Sequence, residues 1–211
     1  MIARLRSLLR TLRGDEQGLS LIELALVLPV LLTVGLYGSE VAYMTIVDMQ
    51  VSMIATSVAD NASRLGQTDN SSVTPTVTET QINAVLGGAL REGDPFVFSE
   101  NGRIILSSLE INSSTKANYI HWQRCAGSYA RASAYGKQGA GVTSMGTNGH
   151  TVIAQANSAV MFVEVYYKYQ PLFGSMFVSD PIFRHEAAFI IRDDRNLTPG
   201  VTGTAKASTC S

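Results

Sequence analysis

An apolar run near the N-terminus constrains this chain more than any other feature. Residues 19–38 read LSLIELALVLPVLLTVGLYG and include one ionisable residue, Glu23. About 20 such residues suffice to cross the hydrocarbon core of a bilayer as a helix. The run is preceded by a basic flank, which favours a cytoplasmic N-terminus and consists of Arg4, Arg6, Arg10 and Arg13. We therefore expect a single span, with the rest of the chain exported.

A cleaved secretory signal peptide is the first alternative for this run. Its apolar region is usually about 7–15 residues long and ends at a small-x-small cleavage site. Gly35 and Gly38 are small, but a helical pattern continues through them and no clean site follows. We therefore expect the apolar segment to stay in the mature protein.

Glu23 is the most informative single residue in the run. A carboxylate in a membrane span costs on the order of 3 kcal/mol on insertion scales, so it needs a partner or a role. It is the fifth residue counted from Leu19, directly after a short polar stretch that ends in Gly18. A free amine at Leu19 would neutralise it. The alternative is an acid that snorkels to the cytoplasmic headgroups.

A basic leader that ends in glycine, followed by an apolar helix with glutamate at its fifth position, resembles the class III signal of type IV prepilins. Residues 16–29, EQGLSLIELALVLP, look like the opening of the TadE-like proteins of Tad (Flp) pilus systems. Residues 163–173, VEVYYKYQPLF, look like a strand and Tyr-x-Pro-Leu-Phe motif of the same family. The C-terminus lacks the arginine-rich tail common in TadE-like chains, which leaves TadE and the related TadF type both open.

The resemblance implies a processing site and an assembly role. A prepilin peptidase would cut between Gly18 and Leu19, and Glu23 would set the axial register by pairing with the new α-amine of a neighbouring subunit. The partners implied are this peptidase, other pilin subunits, an inner-membrane assembly platform and the lipid bilayer. Major Flp pilins are much shorter than this chain, so its length favours a minor pilin or a pseudopilin.

The exported part reads as a helix and a sheet. Apolar residues from Val41 to Leu65, Ile46 among them, recur on one helical stripe, so the helix continues to about Gly66. We predict an α+β fold in which this long helix packs on an antiparallel sheet, as in pilins. The segments expected are a leader at 1–18, a long helix at 19–66 with a transmembrane N-terminal half, and an exported domain at 67–211.

Within that domain the pattern predicts one short helix and five strands. The helix covers residues 79–90, with Thr78 as its cap and Gly87 and Gly88 as its end. Alternation predicts strands at 103–111, 119–125, 159–169 and 187–191, with Glu164 facing outward. The Asn101-Gly102 turn would join the first of these to a partner strand at 96–98. A glycine-rich loop at 127–149 is too long for a plain connection and is therefore functional or mobile.

Cys125 and Cys210 both lie in the part expected to be exported, where an oxidising periplasm permits a disulfide, and we expect them to pair. His121 and Cys125 are four residues apart on a strand, too far for a nucleophile and its base. No cluster of His, Cys or carboxylates has metal-ligand spacing, and no cofactor is expected. The net charge of −1 gives no indication of a nucleic-acid partner.

The leading hypothesis is a minor pilin or pseudopilin that acts by assembly and is not an enzyme. It would lie in the inner membrane as a single-pass protein with a periplasmic domain. After processing, it would be found at the pilus or cell surface. Two alternatives remain. One is an adhesin or binding module that uses the 127–149 loop at a pilus tip, and the other is a membrane-anchored periplasmic hydrolase, which needs convergent polar groups in a cleft.

Overall fold

The computed structural model describes residues 17–66, 74–147, 149–192 and 194–210, with side chains from Ser20 onward. The predicted leader therefore lies almost entirely outside the described residues, as do residues 67–73 of the polar stretch after the long helix. By its internal contacts the chain divides into two compact units, Met1–Tyr43 and Met44–Ser211. One helix, α1 (Gln17–Ser63), contributes to both.

In the first unit, residues 20–39 of α1 are mostly apolar and exposed, whereas Glu40 is fully buried and Val41 and Tyr43 are partly buried. The most apolar window of the helix has a mean hydropathy of 2.1, and none of that window is buried. Within the described residues it is the one helix long and apolar enough to cross a membrane. Pro29 lies inside the helix without ending it, and the hydroxyl of Thr33 donates to the Pro29 carbonyl at 2.7 Å.

In the second unit, α1 carries the buried stripe that the sequence predicts. The stripe recurs every three or four residues and consists of Val47, Val51, Ile54, Ala55, Val58, Ala59 and Ala62. Ile46, which the sequence places on the same stripe, is instead 50% exposed. The helix ends at Ser63, and the turn that follows closes at Gly66, whose positive φ of 69° suits a residue without a side chain.

Four antiparallel strands form the main sheet of this unit. They are β2 (Gly102–Ile111), β3 (Asn118–Ala126), β4 (Val160–Lys168) and β5 (Ile182–Ile190), in the order β3-β2-β4-β5. A separate parallel pair joins β1 (Val77–Thr78) to β6 (Val201–Thr202). The fold is therefore α+β, with a long N-terminal helix and a mostly antiparallel sheet.

Helix α2 (Glu79–Glu92) starts where the sequence predicts but ends later. The Thr78 hydroxyl accepts from the Gln81 amide, and the Gln81 side chain accepts from the Thr78 amide, which forms a capping box. Gly87 and Gly88 lie inside the helix, so the prediction that they end it is wrong. The helix ends at Gly93, whose amide donates to the carbonyl oxygens of Ala89 and Leu90.

The predicted strand at residues 96–98 is not formed. Asp94–Phe96 is a 3-10 turn and a one-turn helix, α3 (Phe98–Asn101), follows it, with Val97 in the left-handed region at φ 55°. Both edges of β2 are already taken, by β3 and β4, so a further strand has nothing to pair with. Phe96 and Phe98 are buried instead, with ring centroids 5.2 and 5.8 Å from that of Tyr167.

Candidate functional site

The segment expected to direct processing and assembly lies at the start of α1. Gly18 and Leu19 are in the first turn of the helix, and Glu23 lies about one turn further along. The Glu23 side chain is exposed, on a surface otherwise made of apolar side chains such as Leu21 and Leu24, which are 69% and 57% exposed. A carboxylate on such a surface has an ion-pair partner only where a second molecule, or another part of the chain, places a cation beside it.

A second apolar row continues along α1 in the second unit. Ile46, Met49 and Met53 are 50%, 57% and 56% exposed, on the face opposite the buried stripe. Their spacing of three and four residues places them on one side of the helix. Sequence reasoning missed this row because it searched for one buried face, although the same 3-4 spacing was there to be read. The row is suited to packing against another helix.

Glu164 is the centre of a buried polar cluster on the sheet. It lies on β4, is fully buried, and accepts hydrogen bonds from the Ser133 hydroxyl, the Ala134 amide at 2.9 Å and the Tyr166 hydroxyl at 2.8 Å. The Arg184 guanidinium lies 3.9 Å away. The prediction that Glu164 faces outward is therefore wrong. Because both faces of β4 are covered, a polar side chain on it is buried whichever way it points.

A neighbouring cluster surrounds Glu186 on β5. Its carboxylate accepts from the Tyr135 hydroxyl at 2.8 Å and the Thr147 hydroxyl at 3.2 Å, and forms an ion pair with Arg184. Burial, followed by the hydrogen bond to Glu186, raises the pKa of Tyr135 to about 12. Burial, followed by the charge of Glu164, raises the pKa of Tyr166 to about 12. Both phenols are therefore protonated donors at neutral pH.

These two clusters attach the glycine-rich loop to the sheet. Ser133, Ala134 and Tyr135 belong to the loop, and so does Met145, which is fully buried in the core. Beside them is a cavity of ≈ 450 Å³, whose lining includes Thr147, His150, Phe162, Arg184 and Glu186. The loop thus has a structural role, and its far end borders a cavity with groups of both charges.

The geometry around Glu164 is that of a satisfied structural acid. Three donors and a nearby guanidinium use its oxygens, and the side chain has no access to solvent. Among the residues that the structure describes, no group of three or more His, Cys, Asp or Glu side chains could hold a metal ion.

Other charged side chains connect elements of the second unit to one another. Arg124 Nε on β3 donates to both carboxylate oxygens of Glu79 on α2, at 3.1 and 2.9 Å, and both residues are buried. The imidazole of His121 lies 2.8 Å from Glu110 Oε2, and this hydrogen bond is the main cause that raises the pKa of His121. At the end of α1, Arg195 Nη2 donates to the Ser63 carbonyl at 3.1 Å, where a cation is favourable.

The two cysteines form a disulfide. Cys125 on β3 and Cys210 in the C-terminal tail are joined, with their Cα atoms 5.0 Å apart. The Cys125 amide also donates to the Ser208 carbonyl at 2.8 Å, so the tail contacts the strand just before the bridge as well as at it. A disulfide is typical of a protein in an oxidising compartment.

The chain matches no protein-family model, no curated protein and no solved structure. A functional conclusion therefore rests on the sequence motif and on the geometry described above.

Proposed function

We propose that this chain is a TadE-like minor pilin or pseudopilin of a Tad (Flp) pilus, made as a precursor and processed by a prepilin peptidase. The observation that carries the proposal is the apolar half of α1, which is exposed from Ser20 onward, directly follows the Gly18–Leu19 junction and holds Glu23 as its acid. The same helix continues into a disulfide-bonded α+β unit. The leader would be cytoplasmic and the α+β unit periplasmic, in agreement with the basic flank and the disulfide.

The proposed mechanism is assembly. Cleavage after Gly18 would create an α-amine at Leu19, and the Glu23 carboxylate of a neighbouring subunit would neutralise it inside an apolar bundle. Buried ion pairs are better attested as devices for register than as sources of stability. An acid that has lost its partner in that bundle would be strongly unfavourable, so only one stagger of the helices would be tolerated.

The exposed row on the second half of α1 supports the same mechanism. Ile46, Met49 and Met53 provide apolar surface that the α+β unit does not cover, and methionine adapts its shape to different neighbours. Helices of adjacent subunits would therefore pack along both halves of α1.

The decisive experiment is the N-terminal sequence of the mature protein in cells with and without the prepilin peptidase. We expect Leu19 as the first residue only when the peptidase is present. Gly18→Val should block processing because a side chain crowds the peptide bond, whereas Gly14→Val, a matched change in the leader, should not. An unprocessed start in both strains, or a start beyond Gly38, would contradict the proposal.

A second experiment separates assembly from processing. Glu23→Ala should be cleaved normally but should not enter filaments or priming complexes, because the register pair is lost. Leu26→Ala, a similar truncation on the same segment, should be cleaved and assembled. Normal piliation with Glu23→Ala would refute the register role.

The cavity beside the glycine-rich loop favours a binding module at a pilus tip as the second candidate function. Thr147 lines it from the loop and His150 from the residue just after the loop, and Arg184 and Glu186 line it from the sheet. Shortening the loop would remove buried residues such as Met145, so the sharper test is the exposed His150→Ala. Loss of surface adhesion with piliation intact would support the binding module, whereas unchanged adhesion would favour assembly alone.

A further inference from the structure

The loop between β4 and β5 carries a concentration of exposed apolar side chains. Residues 171–178 read PLFGSMFV and contain no ionisable group. Met176 is 77% exposed, Leu172 52% and Phe173 38%. A cluster of exposed large apolar side chains of this kind often marks a site of contact with a membrane or another molecule.

The base of this loop is ordered and charged. The Tyr169 amide donates to the Pro181 carbonyl at 2.9 Å, which closes the hairpin, and Lys168 pairs with Asp180 at 3.4 Å. The apolar tip of the loop therefore lies beyond a charged base, formed by Lys168 and Asp180. This order is expected of a segment that enters a membrane interface.

Two contacts show at which end of the second unit the loop lies. Asp48 on α1 is 2.8 Å from His185 on β5, and Asp60 forms an ion pair with Arg192, just beyond the strand. Asp48 and Asp60 are separated by about 18 Å of helix, and His185 and Arg192 by about 23 Å of extended chain. Helix and strand thus run side by side in the same direction. The loop, which precedes β5, lies at the Met44 end of the unit.

The loop also reaches past Met44. Ile182 begins β5 three residues before His185, which is about 10 Å of strand. Met44 precedes Asp48 by four residues, about 6 Å of helix. The loop therefore extends beyond the point where α1 joins this unit.

If α1 spans the bilayer, the chain leaves the membrane on the N-terminal side of Met44, which is the end of the second unit where the loop lies. Gly38 ends the apolar run, and five residues lie between it and Met44, so the hydrocarbon edge is within about 20 Å of Met44 even for a fully extended connection.

We infer that residues 171–178 insert into the interfacial layer of the bilayer that α1 spans, and give the exported unit a second contact with the membrane. Leucine, phenylalanine and methionine gain from leaving water, and the loop's backbone polar groups stay solvated at headgroup depth. The inference rests on α1 spanning the bilayer and does not depend on a pilus.

Site-specific fluorescence on the full-length chain, reconstituted in phosphatidylcholine–phosphatidylglycerol vesicles, tests the inference. Met176→Cys provides one reactive thiol for an environment-sensitive nitrobenzoxadiazole label, because the native cysteines are both in the disulfide. The matched control is Ile153→Cys, which is 61% exposed and lies shortly before β4 begins, at the other end of the sheet. We expect a blue-shifted emission at position 176, quenched several-fold more strongly by doxyl-labelled lipids than at position 153.

Four further results decide the matter. Phe173→Asp in the Met176→Cys chain should weaken the quenching by placing a charge in the inserted tip. Equal quenching at positions 176 and 153, in protein that resists alkaline extraction, would overturn the inference while α1 still spans. A blue shift without lipid quenching would mean that protein covers the loop, and would also overturn it. Protein that alkaline treatment extracts would remove the premise itself, independently of the N-terminal processing result.

Discussion

At the scale of single residues, Glu164 shows how one buried acid holds a long irregular segment in place. Its oxygens accept from a hydroxyl and an amide of the glycine-rich loop and from the Tyr166 hydroxyl on its own strand. A loop of this composition has little apolar surface with which to order itself, so hydrogen bonds to a buried charge carry more of the stabilisation than they do in a packed core.

We expect Glu164→Gln to destabilise the protein by about 1–3 kcal/mol, since the amide nitrogen would face a donor where the carboxylate accepted one. Denaturant unfolding of the detergent-solubilised chain, followed by the fluorescence of Trp122, measures the change. Glu100→Gln, an exposed acid, should change the free energy of unfolding by less than about 0.5 kcal/mol. Equal effects of the two substitutions would mean that the loop does not depend on Glu164.

The His121–Glu110 pair should make stability depend on pH near neutrality. The hydrogen bond raises the pKa of His121 above 6.5 in the folded state. Its stabilisation is therefore complete below pH 6.5, the unfolded value, and is lost as pH rises through the folded pKa. Glu110→Gln should lower the His121 pKa. The carboxylate favours the charged imidazolium, whereas an amide nitrogen in place of Glu110 Oε2 would donate a hydrogen bond to the neutral imidazole and favour that form.

Ring-proton NMR of His121 gives its pKa directly, and unfolding curves between pH 5 and 8 give the linked stability. His150→Gln, at an exposed position, is the control for removal of a histidine. A His121 pKa that is the same in the Glu110→Gln chain would contradict the assigned cause.

The sequence correctly predicted the disulfide, because that prediction depends on the compartment of the exported part. It misplaced Glu164, because the prediction assumed that one face of the sheet is exposed to solvent. Cys125 and Cys210 are joined as expected, since both lie in the part predicted to be exported. Glu164 was misplaced because alternation predicts an outward side chain only for a sheet with one solvated face. Every residue of β4 except the last is buried, and nothing in the local pattern reveals the loop that covers it.

At the scale of elements, the 94–101 segment depends on space that two glycines leave for one aromatic ring. A Cβ on Gly93 would overlap Phe98 Cβ, and a Cβ on Gly102 would lie 2.5 Å from two atoms of the Phe98 ring. Gly102 has a φ of −111°, so the requirement is for room and not for an unusual backbone. Phe98 itself is fully buried.

We expect Gly102→Ala to destabilise the protein by about 1–3 kcal/mol through overpacking against Phe98. Gly87→Ala is the matched control, because Gly87 lies inside α2 with nothing within 4 Å of the added Cβ. That change should stabilise by about 0.5–1 kcal/mol through helix propensity. Denaturant unfolding measures both changes. If Gly102→Ala left the free energy of unfolding unchanged, the packing around Phe98 would accommodate the added methyl group without strain.

The elements that could be predicted are those whose pattern is local. The buried stripe of α1 and the strands β2, β3 and β4 follow from periodicity, and the Thr78 cap from its hydrogen-bonding chemistry. The Asn101-Gly102 pair suggested a hairpin, but β2 already pairs on both sides, which is a property of the whole sheet. β5 begins five residues before the predicted start, where charged and aromatic residues hide the alternation.

At the scale of the whole molecule, the C-terminal tail is bound back to the middle of the chain. The tail contacts α2 through Asn83, whose side-chain amide donates to the Lys206 carbonyl at 2.9 Å and whose oxygen accepts from the Ser208 hydroxyl at 2.7 Å. The disulfide joins residues 85 apart in sequence, and the loop that it closes contains β4, β5 and β6. The tail is too polar to be held by apolar burial alone.

Removing the disulfide should therefore cost much of the stability of the exported unit. The chain-entropy argument gives about 4–5 kcal/mol for a closed loop of this length. We expect the double variant Cys125→Ser/Cys210→Ser to unfold at a correspondingly lower denaturant concentration, and to be degraded quickly after export. Lys206→Ala keeps the bridge and the backbone carbonyl that Asn83 uses, and should be close to the parent chain. If reduction and the double substitution both left the unfolding midpoint unchanged, the hydrogen bonds of the tail would be sufficient to hold it, and the entropy of the loop would not be what stabilises this unit.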